Sequence, residues 1–228
     1  MKYKYILMDA DDTLLDFGQD EENAFKKVCD EKNIAFTPLL YSRYSEINLG
    51  LWKQFEKGEI TKADILRLRF YNTFKEIGII IDGTEYSNCY GKHLSNGGIP
   101  VDGAIEVCQK LKDAGYKLYI ITNGIEYIQE GRFKNSNLGE YFEYRFISEC
   151  MGVQKPKKEY FDKVLDTIGC QDKEKYLIVG DSLSSDILGG INSGIDTCWI
   201  NRKNIRNDTD IVPDYLVKTL KDILEILL

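Results

Sequence analysis

The chain has a single histidine, His93, among its 228 residues. That scarcity excludes histidine-nucleophile phosphatases, His-rich dinuclear metallohydrolases and HExxH proteases, all of which need more imidazoles. No cysteine has an arginine six positions later, which excludes a C-x5-R phosphatase, and no GxxxxGK-S/T loop occurs. The six cysteines (Cys29, Cys89, Cys108, Cys150, Cys170 and Cys198) are scattered singly, without a CxxC pair. They read as reduced, mostly buried thiols rather than a disulfide framework or a zinc site. No run approaches the ~20 apolar residues that span a bilayer. Residues 1–3 lead straight into a short strand with no signal peptide, so cytoplasmic residence is expected. A net charge of −7 argues against a nucleic-acid polymer or an anionic membrane as partner. A small anion can still bind if a metal and a few donors make a pocket locally positive. Hydrolytic or transfer chemistry would therefore have to run on carboxylates.

Carboxylates are present where such chemistry needs them. An apolar run at residues 3–8 delivers Asp9 and Asp11, spaced i, i+2, at the end of a strand. If strand pairing lasts through Asp9, alternation sends both acids to one side and Ala10 to the other. One acid could then attack while the other moves a proton; the plainer alternative is an Asp-rich turn capping a helix. A second strand-like run ends in Thr122-Asn123-Gly124, offering a hydroxyl and backbone N–H groups to a phosphoryl oxygen. In the third segment Lys155 precedes Pro156, which suits the first position of a helix. A lysine there could neutralise Asp9 and a phosphate oxygen together. In the fourth, a buried-type strand ends in Gly180-Asp181-Ser182, with Asp186 expected in the first turn of a helix. Carboxylates meeting from two strand ends make a hard-oxygen site fit for Mg²⁺.

Strand-like runs at 3–8, 117–121, 144–147, 176–179 and 197–200 alternate with helical patterns, which predicts an α/β fold with a doubly wound, Rossmann-like parallel sheet. Residues 17–97 break this alternation. They hold no convincing strand, and breaks near 33–38, 57–61 and 78–83 divide them into about four helices, one opened by a Thr61–Asp64 capping box. The expected organisation is a core of residues 1–16 and 98–228 with an all-helical insert at 17–97, hinged near residues 96–100.

The four segments, in this order, resemble the motifs of the haloacid dehalogenase superfamily. Asp9-x-Asp11-x-Thr13 is similar to its first motif, Thr122 to its second, Lys155 to its third, and Gly180-Asp181-Ser182 with Asp186 to its fourth. The insert resembles that family's C1-type cap. Residues 12–17, Ile47-Asn48, Leu51-Trp52, Arg69-Phe70, the run from Gly180 to Asn192 and residues 197–201 further resemble the house-cleaning pyrimidine 5′-nucleotidases.

The resemblance implies a mechanism. Asp9 attacks phosphorus, Asp11 serves as acid and then base, and Thr122, Asn123 and Lys155 hold the phosphoryl group. Mg²⁺ sits on the Asp9 carboxylate, the Asp11 carbonyl and Asp181, while Asp186 and Ser182 support Lys155 and the metal's waters. The implied substrate is a small phosphorylated molecule, a pyrimidine nucleotide foremost, and a cap would shut over it. Asp11 favours a phosphatase over a dehalogenase, because a departing halide needs no proton. Phe17, Trp52, Tyr41 and Tyr44 are candidates to stack on a base, and Asn48, Lys53 and Arg69 to donate to base or sugar. Packing and surface solvation are the alternatives for these residues, and His93 is expected to be solvated or half-buried. Sugar-phosphate or phosphoglycolate hydrolysis and phosphosugar mutation fit the same four motifs, whereas a receiver domain or a pure binding module fits poorly. A monomer or homodimer is expected.

Overall fold

The computed structural model describes residues 2–228. Within them the chain forms two compact units, one made of the chain up to Phe17 and from Gly98 onward, the other of Gly18–Gly97. The four apolar residues Tyr5–Met8 form strand β1, and all are buried. Soon afterwards the chain leaves the sheet, and it returns beside its point of exit. Asp16 N–H donates to the Ile99 carbonyl at 2.8 Å and Val101 N–H to that of Leu14 at 2.9 Å, an antiparallel pairing that closes the insertion at its base.

The inserted unit consists of α1 (Phe17–Glu31), α2 (Pro38–Glu56), α3 (Lys62–Glu76) and α4 (Gly83–Ser95). Each break is built by local chemistry. Thr37 caps α2, whose first turn holds Pro38. Thr61 and Asp64 form the reciprocal capping box of α3, as the sequence predicts. Asp82 accepts from Thr84 and Glu85 N–H at the start of α4. Gly83 must be glycine, because a Cβ there would lie 1.9 Å from the Arg67 carbonyl oxygen on α3. The core of the unit is aromatic. Phe25, Tyr44, Phe70, Phe74 and Tyr90 are all fully buried, and the Tyr44 ring lies 4.6 Å from Phe25 and 4.7 Å from Phe70.

In the other unit β1 is joined by β2 (Lys117–Thr122), β3 (Phe142–Ile147), β4 (Tyr176–Gly180), β5 (Asp196–Ile200) and β6 (Tyr215–Val217). All pairs are parallel, in the order β3-β2-β1-β4-β5-β6. Alternate residues feed two cores. Ile6, Met8, Ile120, Leu177 and Val179 face one side, packed with Val107, Cys108 and Leu111 of α5 (Ala104–Asp113). Tyr5, Leu7, Tyr119, Ile121 and Ile178 face the other. There they meet Tyr160, Phe161, Val164 and Leu165, carried by the eighth helix, described next.

The remaining helices are α6 (Glu126–Asn135), α7 (Ser148–Met151), α8 (Lys158–Ile168), α9 (Leu188–Ser193) and α10 (Ile223–Leu227). With both faces covered, the central strands are apolar throughout rather than alternating. Three local expectations change. Strand β6 was not read from the sequence, because it is a three-residue edge strand with Leu216 exposed and no apolar run. Helix α8 begins at Lys158 rather than at Pro156. Lys157 is extended (φ −63°, ψ 133°) and the Lys155–Pro156 peptide is cis. Asp186 lies in a π-helical turn, Leu183–Ile187, ahead of α9 rather than in the first turn of an α-helix.

Candidate active site

In an open sheet of this order, ligands meet the chain outside the carboxyl ends of the strands flanking the point where connections reverse. Here those strands are β1 and β4, with β2 beside them. Pairing does outlast β1: Asp9 N–H donates to the Val179 carbonyl at 2.9 Å. Ala10 drops into the apolar core with Met8 and Leu14, so the alternation expected from the sequence holds. A tight loop follows. Leu14 and Leu15 N–H both return to the Ala10 carbonyl, and Asp12 takes a left-handed conformation (φ 57°) that Asp tolerates better than most residues.

Lys155 is the hub. It is 1% exposed, and its ammonium donates to Asp9 Oδ1 at 2.6 Å, Asp186 Oδ1 at 2.6 Å and the Ile121 carbonyl at 2.9 Å. Burial works against this charge, but Asp186 and Asp9 outweigh it and hold Lys155 above the usual lysine range. Asp186 is fully buried, and its second oxygen accepts from Ser182 N–H at 3.1 Å. Ser182 also caps the π-helical turn, its hydroxyl accepting from Ser185 N–H. Asp181 follows β4, its carbonyl fixed by the Trp199 indole N–H at 2.7 Å.

Carboxylate oxygens of Asp9, Asp181 and Asp186 all lie within 4.8 Å of one another. One ammonium, bonded to Asp9 and Asp186, faces three carboxylates in a mostly buried space. Desolvation, with the neighbouring carboxylates adding to it, raises Asp9 well above the usual carboxylate range even against the pull of Lys155. It raises Asp181 in the same way. A hard divalent cation fits this donor set in charge and in ligand type.

Asp11 takes a different partner set, one that sequence reasoning missed. Its two oxygens accept from Gln129 Nε2, at 2.8 Å, and from Arg132. Gln129 also donates to the Thr122 hydroxyl at 3.2 Å, so one amide links the ends of β1 and β2. Both residues lie on α6, and Arg132 is fully buried. Polar residues in a helix are ordinarily read as solvated. The usable signal was that α6 starts directly after Thr122-Asn123-Gly124, so its first turns rise from the same strand end.

The remaining expectations divide. Thr122 is 1% exposed, and its hydroxyl accepts from Gly124 N–H at 3.0 Å, so that backbone donor is already engaged. The Asn123 side-chain amide pairs reciprocally with the Lys155 backbone, N–H to Oδ1 and Nδ2 to O, each at 3.0 Å. It positions the lysine segment. Phe17 has the Arg132 guanidinium 5.6 Å from its ring.

In the helical unit Asn48 is buried, because Tyr44, Asn48, Leu51 and Phe55 share the buried stripe of α2. Its Nδ2 donates to Glu21 at 2.8 Å. Tyr41 is also held by Glu21, and Trp52 is half-buried with its ring edge-on to Phe55. Arg69 is buried rather than solvated, donating to Ser87 at 2.9 Å and lying 4.5 Å from the Tyr90 ring centroid. Lys53 is exposed.

Known proteins resemble this chain in sequence and fold. The model of the haloacid dehalogenase-like hydrolase family matches residues 3–194. The chain is 38% identical over 227 residues to pyrimidine 5′-nucleotidase PynA of Streptococcus pneumoniae (strain ATCC BAA-255 / R6), covering 100% of this chain and 96% of that protein. It is 31% identical over 227 residues to pyrimidine 5′-nucleotidase YjjG of Escherichia coli (strain K12), covering 100% and 99%. A crystal structure of the HAD-hydrolase YfnB from Bacillus subtilis, bound to magnesium, matches with a TM-score of 0.95 at 38% identity, over 100% of this chain and 99% of that one. Among the described residues no helix is long and apolar enough to cross a membrane. The match spans every strand end that carries a carboxylate, the threonine and the lysine, and on that ground the chain belongs to the haloacid dehalogenase-like hydrolases.

Proposed function

We propose that this hydrolase is a Mg²⁺-dependent phosphomonoesterase acting through an aspartyl-phosphate on Asp9, with pyrimidine nucleoside 5′-monophosphates as its substrates. The observation that carries the chemical reading is the buried Asp9–Lys155–Asp186 chain, with Asp11 turned separately by Gln129 and Arg132. It supplies two carboxylates with separate partners, Asp9 held by Lys155 and Asp11 by Gln129 and Arg132, so that one can be placed for attack and the other for proton transfer. Mg²⁺ held by Asp9, the Asp11 carbonyl and Asp181 would supply neutralising charge to the phosphoryl oxygens.

An Asp9 oxygen forms the bond to phosphorus as the ester P–O bond breaks, and Asp11 gives its proton to the departing oxygen. Water then attacks phosphorus. Asp11 recovers a proton from it, and the Asp9–phosphorus bond breaks to release phosphate. Lys155 steadies the nucleophile and a phosphoryl oxygen, while Thr122 orients another. Such hydrolyses need roughly 20 kcal/mol of barrier lowering or more, beyond any one side chain, so single deletions are non-additive.

The nucleotide reading rests on full-length similarity to PynA and YjjG, each named for that activity. The test is phosphate release from UMP, dUMP, dTMP, AMP, glucose 6-phosphate, phosphoglycolate and β-glucose 1-phosphate, with Mg²⁺ and with EDTA, for wild type and Asp9→Asn. Metal-dependent release led by the pyrimidine nucleotides and lost in Asp9→Asn is expected. Release led by a sugar phosphate removes the nucleotide assignment and leaves the chemistry. No release from any member removes both.

A further inference from the structure

The helical unit carries a second cluster of metal-ligating side chains that the hydrolytic reading does not use. Cys89 and His93 stand at i, i+4 on α4, the spacing that puts two side chains on one helical face. Glu31, the last residue of α1, approaches that face from a different helix. One carboxylate serves both partners: Cys89 Sγ donates to Glu31 Oε2 at 3.1 Å, and His93 Nε2 lies 2.7 Å from Glu31 Oε1. Ligand atoms of all three residues fall within 4.8 Å of one another.

We propose that Glu31, Cys89 and His93 form a binding site for a borderline divalent transition metal, Zn²⁺, with water completing a tetrahedron. Three features select this chemistry. The donor set is one sulfur, one imidazole nitrogen and one carboxylate oxygen, which suits Zn²⁺ and not the hard cations that all-oxygen sites take. At Zn–ligand lengths of about 2.0–2.3 Å, tetrahedral ligand atoms stand about 3.4–3.6 Å apart. The two contacts to Glu31, at 3.1 and 2.7 Å, need only open slightly to reach that spacing. The charges also match, since thiolate and carboxylate together offset a divalent ion. Lys32, the cation next along the chain, is directed to Glu85 and does not take the Glu31 carboxylate.

Binding displaces the thiol proton of Cys89 to solvent as the metal–sulfur bond forms, with no change of oxidation state. The metal then joins the C-terminal end of α1 to the C-terminal half of α4, replacing a hydrogen-bonded contact with coordinate bonds. His93 and Glu31 remain reachable from solvent, with side chains 19% and 56% exposed.

The experiment is a titration of the reduced full-length protein with Co²⁺, a spectroscopic stand-in for Zn²⁺, in excess Mg²⁺ so that the carboxylate cluster of the sheet-containing unit is filled. One equivalent should produce a thiolate-to-cobalt charge-transfer band in the near ultraviolet, and Zn²⁺ should displace it. The band should vanish in Cys89→Ser and weaken sharply in His93→Gln. The second variant keeps the thiol and decides the matter if the first does not fold. Metal-free far-ultraviolet circular dichroism of each variant checks that it is folded. Cobalt bound without a thiolate band, no binding, or a band unchanged in both variants overturns the proposal.

Discussion

Replacing Lys155 with methionine perturbs the site where its charge balance is tightest. Methionine keeps the length and most of the packing of lysine. The variant therefore loses the charge and three hydrogen bonds, to Asp9, Asp186 and the Ile121 carbonyl. Removing one partner of a buried ion pair leaves an uncompensated charge and costs about 3–5 kcal/mol. Protonation can relieve part of that. Burial already pushes Asp9 above the usual carboxylate range and Lys155 opposes it, so Asp9 climbs further in the variant. A carboxyl raised on folding binds a proton that the unfolded chain has released. Stability therefore falls as pH rises above about 3.9 towards the folded value, by up to about 1.4 kcal/mol per pH unit. The wild type has the same sign over a narrower interval, so the gap between the two proteins widens once pH passes the folded value of Asp9 in the wild type. Urea unfolding in EDTA at about pH 5.5 and about pH 8 measures this, read by Trp199 in a Trp52→Phe background. Phosphate release with Mg²⁺ should fall by about 10²–10³-fold. A variant as stable as the wild type at the higher pH, or a gap that does not widen, would refute the reasoning.

Other perturbations test other parts of the structure. In Gly180→Ala the new Cβ would lie 2.3 Å from the Asp186 carboxylate, which is buried and tied to Lys155 and Ser182. Overpacking should cost about 1–3 kcal/mol and lower phosphate release with it, whereas Gly50→Ala, with nothing within 4 Å, should reduce neither. Equal behaviour of the two glycine variants contradicts this geometry. Gln129→Leu removes the donor that Asp11 and Thr122 share and leaves Asp11 on Arg132 alone, so kcat should fall by more than about tenfold with KM little changed; a change confined to KM goes against a positioning role. Phe70→Ala removes a fully buried ring from the aromatic core of the helical unit. It should cost about 3–5 kcal/mol in urea unfolding followed at Trp52, and a loss below about 1 kcal/mol would mean that the core does not depend on that ring.

Much of the fold was legible because its signals are local. The strands that became β1, β2, β4 and β5 are apolar runs, and a parallel sheet covered on both faces demands such runs whatever its neighbours are. The helical insert announced itself through Thr61–Asp64 and through breaks set by local turn and capping chemistry. The catalytic candidates were legible for a related reason. Asp9, Thr122 and Asp181 each sit at the end of an apolar strand, so their place in the fold follows from their place in the chain. Strand β6 was not legible: three residues at a sheet edge, one of them exposed, carry too little apolar pattern.

The sequence by itself determined which residue types stand at the strand ends, and with them an acid-based, metal-compatible chemistry. Only the tertiary structure decided how those groups are partnered. It assigned Asp11 to Gln129 and Arg132, spent the Asn123 side chain on the Lys155 backbone, buried Asn48 and Arg69, and brought Glu31 to Cys89 and His93. The reason is physical. Strand and helix periodicity are set by neighbours a few residues away, whereas the partner of a buried charge is whichever group the packing brings within about 3 Å, and that group can lie more than a hundred positions away.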